Sequence, residues 1–272
     1  WCKNVILATG GPAGMYHDSV YPVSQTGSTG MAFEAGASGK NLTEWQFGMA
    51  SLNPRWNVSG TYMQVLPSFI STDQDGNDEK EFLLDYFNEL PDLLSMVFLK
   101  GYQWPFDVNK IFGGSSVIDL LVYQETVLKK RRVFLDYRVN PGNLEKDRDL
   151  PYASMIPEAK EYLSQAGACF GTPIERLKHM NEPAILFYQD HHVDLFKERL
   201  EIAVCAQHNN GGLSTNHLWE TNLSGLYAIG EVCASHGVTR PGGTALNAGQ
   251  VGAVRAAEGI FLKKRTHMKE AS

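Results

Sequence analysis

Four cysteines, at positions 2, 169, 205 and 233, are all that the 272 residues contain, and no pair has C-x-x-C spacing. A cysteine-built zinc site or a disulfide framework is therefore not expected, and a reducing, cytoplasmic setting is. Long apolar runs are missing as well: none approaches the ~20 residues of a membrane span, and no signal-peptide pattern opens the chain. Positive charge is scarce. Twenty-four Lys and Arg against 30 Asp and Glu give a formal charge of -6, and the only basic blocks are Lys129 to Arg132 and Lys263 to Arg265, which read as solvated helix ends. Nucleic acid and anionic membrane surfaces are thus not the expected partners. The remaining composition, 43% hydrophobic and 20% charged, is globular and sufficient for one large domain or two smaller ones.

The stretch from Ser224 to Val254, SGLYAIGEVCASHGVTRPGGTALNAGQVGAV, organises the rest. Leu226 to Ile229 reads as a short strand ending at Gly230-Glu231, and Asn247 to Ala257 has helical spacing of small and apolar residues. Between them Gly237, Gly242 and Gly243 allow close approach of backbone to a ligand, and Arg240 offers a planar fork for a carboxylate or phosphate. The following helix N-terminus adds free N–H groups. Such a loop suits a flat, anionic ligand; a simple connecting turn is the alternative reading of the same residues.

GLYAIGE followed by HGVTRPGGTALNAGQVG resembles the C-terminal flavin-binding segment of the fumarate reductase, succinate dehydrogenase and L-aspartate oxidase flavoproteins, G-L-[FY]-A-x-G-E and H-G-x-N-R-x-G-G-N-S-L. Glu231, His236, Gly237, Arg240, Gly242, Gly243 and Leu246 match, while Thr239, Thr244 and Ala245 depart from Asn, Asn and Ser. The resemblance implies FAD as cofactor. It assigns the ribityl contact to Glu231, the isoalloxazine contact to the backbone of Ala245 and Leu246 beside Gly243 and Thr244, and a substrate carboxylate to Arg240.

Upstream, Val5 to Ala8 reads as a buried-type strand running into Thr9-Gly10-Gly11. Ala8, Thr9, Gly10 and Gly11 resemble the family's second FAD contact. They do not form G-x-G-x-x-G, because Pro12 sits in the turn, so the chain is expected to be a piece of a longer protein with its fingerprint upstream. Thr26-Gly27, with Ala35-Gly36-Ala37 after a helix over 31–36, resembles T-G-D-G and A-x-x-A-G-A, a further cofactor contact.

Leu42 to Phe47 resembles the family strand L-E-x-x-Q-F-H-P-T, but the substrate-binding histidine is replaced by Gly48. Asp194 to Gly212 resembles D-I-x-K-E-P-I-x-V-x-P-A-A-H-x-x-x-G-G, with Gln207 at the position of the second substrate histidine and His208 one residue later. On an extended strand that shift turns His208 to the opposite face. The arginine segment R-G-E-G-G, which supplies the proton donor in fumarate reduction, has no counterpart between Gly60 and Gly113.

In the middle of the chain, Asp73 to Glu79 reads as an acidic turn, since no Glu stands at the twelfth calcium-loop position. Residues 81–99 read as two short helices separated at Pro91. Gly101 to Asp107 is an aromatic-rich segment suited mainly to core packing. Ser115-Ser116 are candidate caps of a helix reaching Lys130, and Val133 to Asp136 reads as a strand.

The expected fold is α/β, an incomplete FAD-binding Rossmann-like domain (1–52 and 194–272) with an inserted α+β capping domain (53–193). The expected function is flavin hydride transfer with a small anionic substrate, with Arg240, His208 and Gln207 as candidate catalytic groups, no metal, and a possible electron-transfer partner. Ordinary fumarate or succinate chemistry is disfavoured by Gly48, Gln207 and the absent arginine segment. Two alternatives stay open: a classical dicarboxylate enzyme with relocated groups, and a non-catalytic module that keeps the fold as an interaction surface.

Overall fold

The structure is a computed structural model that describes residues 2–25, 27–142 and 150–270. In chain order it forms β1 (Val5–Leu7), α1 (Thr29–Glu34), β2 (Gly39–Lys40), β3 (Trp45–Leu52), β4 (Arg55–Asn57), α2 (Thr61–Gln64) and β5 (Ser68–Thr72). There follow α3 (Leu90–Lys100), α4 (Ser116–Tyr123), β6 (Arg132–Asp136), α5 (Pro157–Gln165), α6 (Pro173–Asp190), β7 (Leu200–Asn209), β8 (Gly212–Leu213), β9 (Leu226–Ala228) and α7 (Thr244–Glu270). Two compact units result, Trp1–Phe47 with Ala206–Ser272, and Gly48–Cys205.

In the first unit β1 and β9 form a parallel pair, Val5 opposite Leu226 and Leu7 opposite Ala228. The strand at 5–7 was expected to be buried, yet Val5 and Ile6 are 44% and 48% exposed. The reason is that a two-stranded sheet covers few of its own side chains. A small core of Ala32, Ala37, Leu213, Ala228, Val232 and Cys233 holds α1, β8 and the turn after β9 together.

The second unit has the larger core, which runs from Met49 on β3 through Leu94 and Phe98 on α3 to Ile202 on β7. Its sheet order is β4-β3-β7-β6-β5, with β6 antiparallel to both neighbours and Leu135 paired with Phe69 and Leu200. The region 81–99 contains one 3-10 turn (Phe82–Asp85) and α3, and Pro91 lies in the first turn of α3 instead of breaking a helix. A proline there forfeits no intrahelical hydrogen bond, since that N–H has no partner in any helix. Ser115 does precede α4, but neither serine caps it. Ser116 Oγ accepts the Asp107 N–H instead, and the helix passes into a π-type turn at Gln124–Leu128 before Lys130.

The acidic turn at 73–79 is closed by Asp73, whose carboxylate accepts the N–H groups of Asp75 and Asn77. α6 is started by a capping box the sequence signals through T-x-x-E, Thr172 with Glu175, followed by Pro173 at the first position. Beneath it, Arg176 is fully buried and donates to the carbonyls of Val65, Phe170 and Gly171 and to Asn140 Oδ1. Among the described residues no helix is long and apolar enough to cross a membrane, and no group of three or more His, Cys, Asp or Glu is placed to hold a metal ion.

Candidate functional site

The site residues gather in the first unit, where β1, β7 and β9 end. β1 delivers the loop Ala8-Thr9-Gly10-Gly11. Thr9 Oγ1 is 2.6 Å from Ser28 Oγ, and Gln25 Nε2 donates to the Thr9 carbonyl. Gly10 takes φ +71°, a conformation open to glycine at little cost. Gly11 must lack a side chain for a different reason: a Cβ there would stand 2.4 Å from Glu231 Oε1. The resemblance named Gly11 and Glu231 separately, and the fold brings them together. Gly27, also at φ +71°, packs on the backbone of Gly11 and Pro12. Thr26, the other residue proposed for that contact, lies outside the described residues.

Glu231 sits on the single 3-10 turn Gly230–Val232 that follows β9. Its carboxylate accepts from the Tyr21 hydroxyl and from the Asn209 N–H at 2.8 Å, and its Oε1 lies 3.3 Å from His208 Nδ1. Burial raises its pKa above the usual carboxylate range, against these donors and the charge of Arg240. Tyr21 had no place in the sequence reading. A tyrosine 210 positions away in the chain gives no local signal.

Arg240, 8% exposed, is locked by a reciprocal pair with Gln46 on β3. Its Nε donates to Gln46 Oε1 at 3.0 Å, and Gln46 Nε2 donates to the Arg240 carbonyl at 2.9 Å. Nη1 reaches the Pro241 carbonyl at 3.3 Å. Nη2 makes no hydrogen bond among the described residues, so a charged donor remains for a ligand. The surrounding loop is open, with nothing within 4 Å of where a Cβ would stand on Gly237, Gly242 or Gly243. Thr244 begins α7 with its hydroxyl on the Pro241 carbonyl, Ala245 is partly exposed, and Leu246 is 82% exposed.

Along β7, strand alternation puts Gln207 and Asn209 on one face and His208 on the other. His208 is buried between Glu231 and His236, with Nε2 3.2 Å from His236 Nδ1 and the rings edge to face at 4.7 Å. Burial, the Arg240 charge and His236 push its pKa down to about 3, so it is neutral at physiological pH. His236, named only as a motif match, is the more exposed imidazole of the two, and its Nε2 makes no hydrogen bond among the described residues. In the second unit, Gly48 meets the Trp104 indole: a Cβ on Gly48 would be 2.3 Å from Trp104 Nε1. The aromatic segment thus fills the space that a side chain at position 48 would need.

Within the first unit a cavity of about 560 Å3 is walled by Pro12, Tyr16, Phe33, Trp45, Asn209 and Gly212 among others. Asn209 Oδ1 and Thr29 Oγ1, from two residues of its wall, are buried without partners among the described residues. Unpaired buried polar atoms are costly, and aromatic walls with polar points suit a flat heteroaromatic group. The residues therefore fit a flavin.

These features define an FAD-binding flavoprotein fold, and comparison with known proteins agrees. Residues 141–246 match the family described as FAD binding domain. The chain is 34% identical over 102 residues to one subunit of the fumarate reductase (CoM/CoB) from Methanothermobacter marburgensis, a match covering 36% of this chain and 19% of that protein. It is 45% identical over 60 residues to an uncharacterized FAD-dependent oxidoreductase of Methanocaldococcus jannaschii, covering 22% of this chain and 11% of that protein. Among solved structures it resembles a quinol-fumarate reductase with a TM-score of 0.53 and 21% identity, over 94% of this chain and 39% of that one. The matched stretches span a fifth or less of the curated relatives' length. The chain thus carries an FAD-binding segment, and it is similar in sequence and fold to flavoproteins of the fumarate reductase kind.

Proposed function

We propose that the protein is an FAD-dependent oxidoreductase for a small anionic substrate other than fumarate or succinate. In this reading the first unit is the flavin-holding part and the second is the cap inserted into it in sequence. The observation that carries the proposal is Arg240, a buried guanidinium fixed by Gln46 with Nη2 left to a ligand.

FAD would be held by Ala8, Thr9, Gly10 and Gly11, by Thr26 and Gly27, by Glu231, and by the backbone of Gly243, Thr244, Ala245 and Leu246. Bound there, it supplies a two-electron hydride acceptor or donor. The chain's own groups do the rest. Arg240 orients the anion, and its burial strengthens that attraction over what water would allow. Gln207 and His208 are its polar neighbours, and electrons leave or enter through a separate electron-transfer partner. Gly48 and Gln207 support the departure from fumarate chemistry. Neither can act as an imidazole clamp on a second carboxylate, and position 48 is covered by Trp104.

An anaerobic assay of the whole, FAD-loaded protein with reduced viologen and fumarate tests this. No turnover at an enzymatic rate is expected, whereas monocarboxylates carrying a 2-hydroxyl or 2-amino group should bleach the flavin absorbance. Fumarate turnover of about 1 per second or faster, abolished by Arg240→Ala, would establish the classical dicarboxylate reading instead.

A further inference from the structure

The imidazole pair has a direction. Glu231 already accepts hydrogen bonds from Tyr21 and from the Asn209 N–H, and its Oε1 is the oxygen facing His208 Nδ1 at 3.3 Å. A carboxylate oxygen so placed favours the His208 tautomer with the proton on Nδ1. His208 Nε2 then carries a lone pair and accepts the proton of His236 Nδ1 across 3.2 Å. That leaves the lone pair of His236 on Nε2, the one imidazole nitrogen of the pair that is buried and without a partner among the described residues.

We infer that His236 is the residue that takes the substrate's proton, through Nε2, held in that tautomer by His208 and Glu231. The inference rests on the oxidoreductase reading and narrows its substrate class. Arg240 is near enough for its charge to disfavour protonation of both His208 and His236. The substrate is therefore an anion whose charged group lies beside the carbon to be oxidised, with a hydroxyl, amine or acidic C–H to lose a proton. The X–H bond breaks toward His236 Nε2, which becomes imidazolium, and the hydride on the adjacent carbon passes to oxidised flavin as a new C=X or C=C bond forms. In the reductive direction the same nitrogen returns the proton. Anion binding also has a sign: neutralising Arg240 removes the repulsion that keeps His236 unprotonated, so the base strengthens when substrate is present. The charged or titratable groups that face His236 are His208 on β7 and Arg240 on the glycine loop, with Glu231 behind His208. His208 is on this view a positioning residue and His236 a catalytic one.

Nitrogen-15 histidine labelling of the FAD-loaded protein, with spectra assigned by His208→Phe and His236→Gln, reads the tautomers directly. At neutral pH, His236 is expected to show a protonated Nδ1 and a bare Nε2, and His208→Phe is expected to abolish that fixed tautomer. With a substrate anion that bleaches the flavin, His236→Gln should lower kcat by about 10²- to 10⁴-fold with flavin content retained. His208→Phe should shift the pH profile of kcat. A protonated Nε2 in the unsubstituted protein, or His236→Gln turnover within about threefold of it, overturns this inference while leaving the oxidoreductase reading intact. A bare Nε2 in a protein that neither holds FAD nor turns over any anion overturns the oxidoreductase reading, and the proton-transfer role falls with it.

Discussion

Arg240 and Gln46 are 194 positions apart in the chain, yet each fixes the other through a side-chain and a backbone hydrogen bond. Arg240→Lys is expected to lower kcat/KM by about 10²-fold or more with FAD content near normal, because lysine keeps the charge but loses the planar fork that grips a carboxylate. Gln46→Leu should act in the same direction and more weakly, raising KM as the guanidinium loses its brace. Flavin absorbance with steady-state kinetics checks both, and loss of FAD with unchanged turnover in the remaining holoenzyme would show that Arg240 belongs to the cofactor instead. Glycines 11 and 48 illustrate what single residues can and cannot announce. Each marks a place where another residue comes close, Glu231 at one and Trp104 at the other, but the sequence alone does not name the neighbour.

At the scale of elements, apolar spacing along 93–98 made a helix legible but not its start: Pro91, read as a break, stands in the first turn of α3, and the Thr-x-x-Glu box that opens α6 went unread although its signal is local. What faces the helix interior was not legible either. Lys100 closes α3 with its ammonium fully buried against Asp119 of α4 at 2.5 Å, and Asp119 Oδ1 makes no hydrogen bond among the described residues. Burial pushes Asp119 up to about 6 and Lys100 down, so both partners are drawn toward their neutral forms and the attraction between them opposes this. Removing one partner strands the other: Lys100→Met is expected to destabilise the protein by about 3–5 kcal/mol, and Lys100→Met with Asp119→Leu to recover most of that loss. Urea unfolding of the two variants decides it, and a double variant no better than the single one would show that the pair is not coupled.

For the whole molecule, the buried imidazole makes acid costly. His208 falls from an ordinary value near 6.5 to about 3 on folding, so below pH 6.5 the unfolded chain binds the proton that the folded one refuses. Stability contributed by the neutral ring is complete above pH 6.5 and is lost progressively as pH falls toward 3. Asp136, held low by Arg138 and Arg199 despite its burial, acts at lower pH, since its contribution is lost only as pH falls below the usual carboxylate range. Asp119 and Glu231 have the opposite sign, because burial raises both and protonation in acid relieves them. His208→Gln isolates the first effect: the difference in Tm between variant and parent should move in the variant's favour from pH 6.5 to about 4. A difference independent of pH over that range would mean that the ring is already charged in the folded protein.

By itself the sequence determined the alternation of elements, the glycine loop from Gly237 to Gly243, and the flavin-family motifs around Glu231 and Arg240. These are carried by short contiguous patterns, and a local pattern needs no fold to be read. It also determined what is missing, the histidines at positions 48 and 207. Only the tertiary structure decided that Tyr21, Asn209, His208 and Gly11 converge on Glu231, that Gln46 braces Arg240, and that His236, not His208, presents an unpaired nitrogen. Those contacts join residues up to 220 positions apart, and strand alternation on β7 set His208 on the face opposite Gln207 and Asn209. Which side chains meet depends on packing and register, and neither is written in any stretch short enough to recognise.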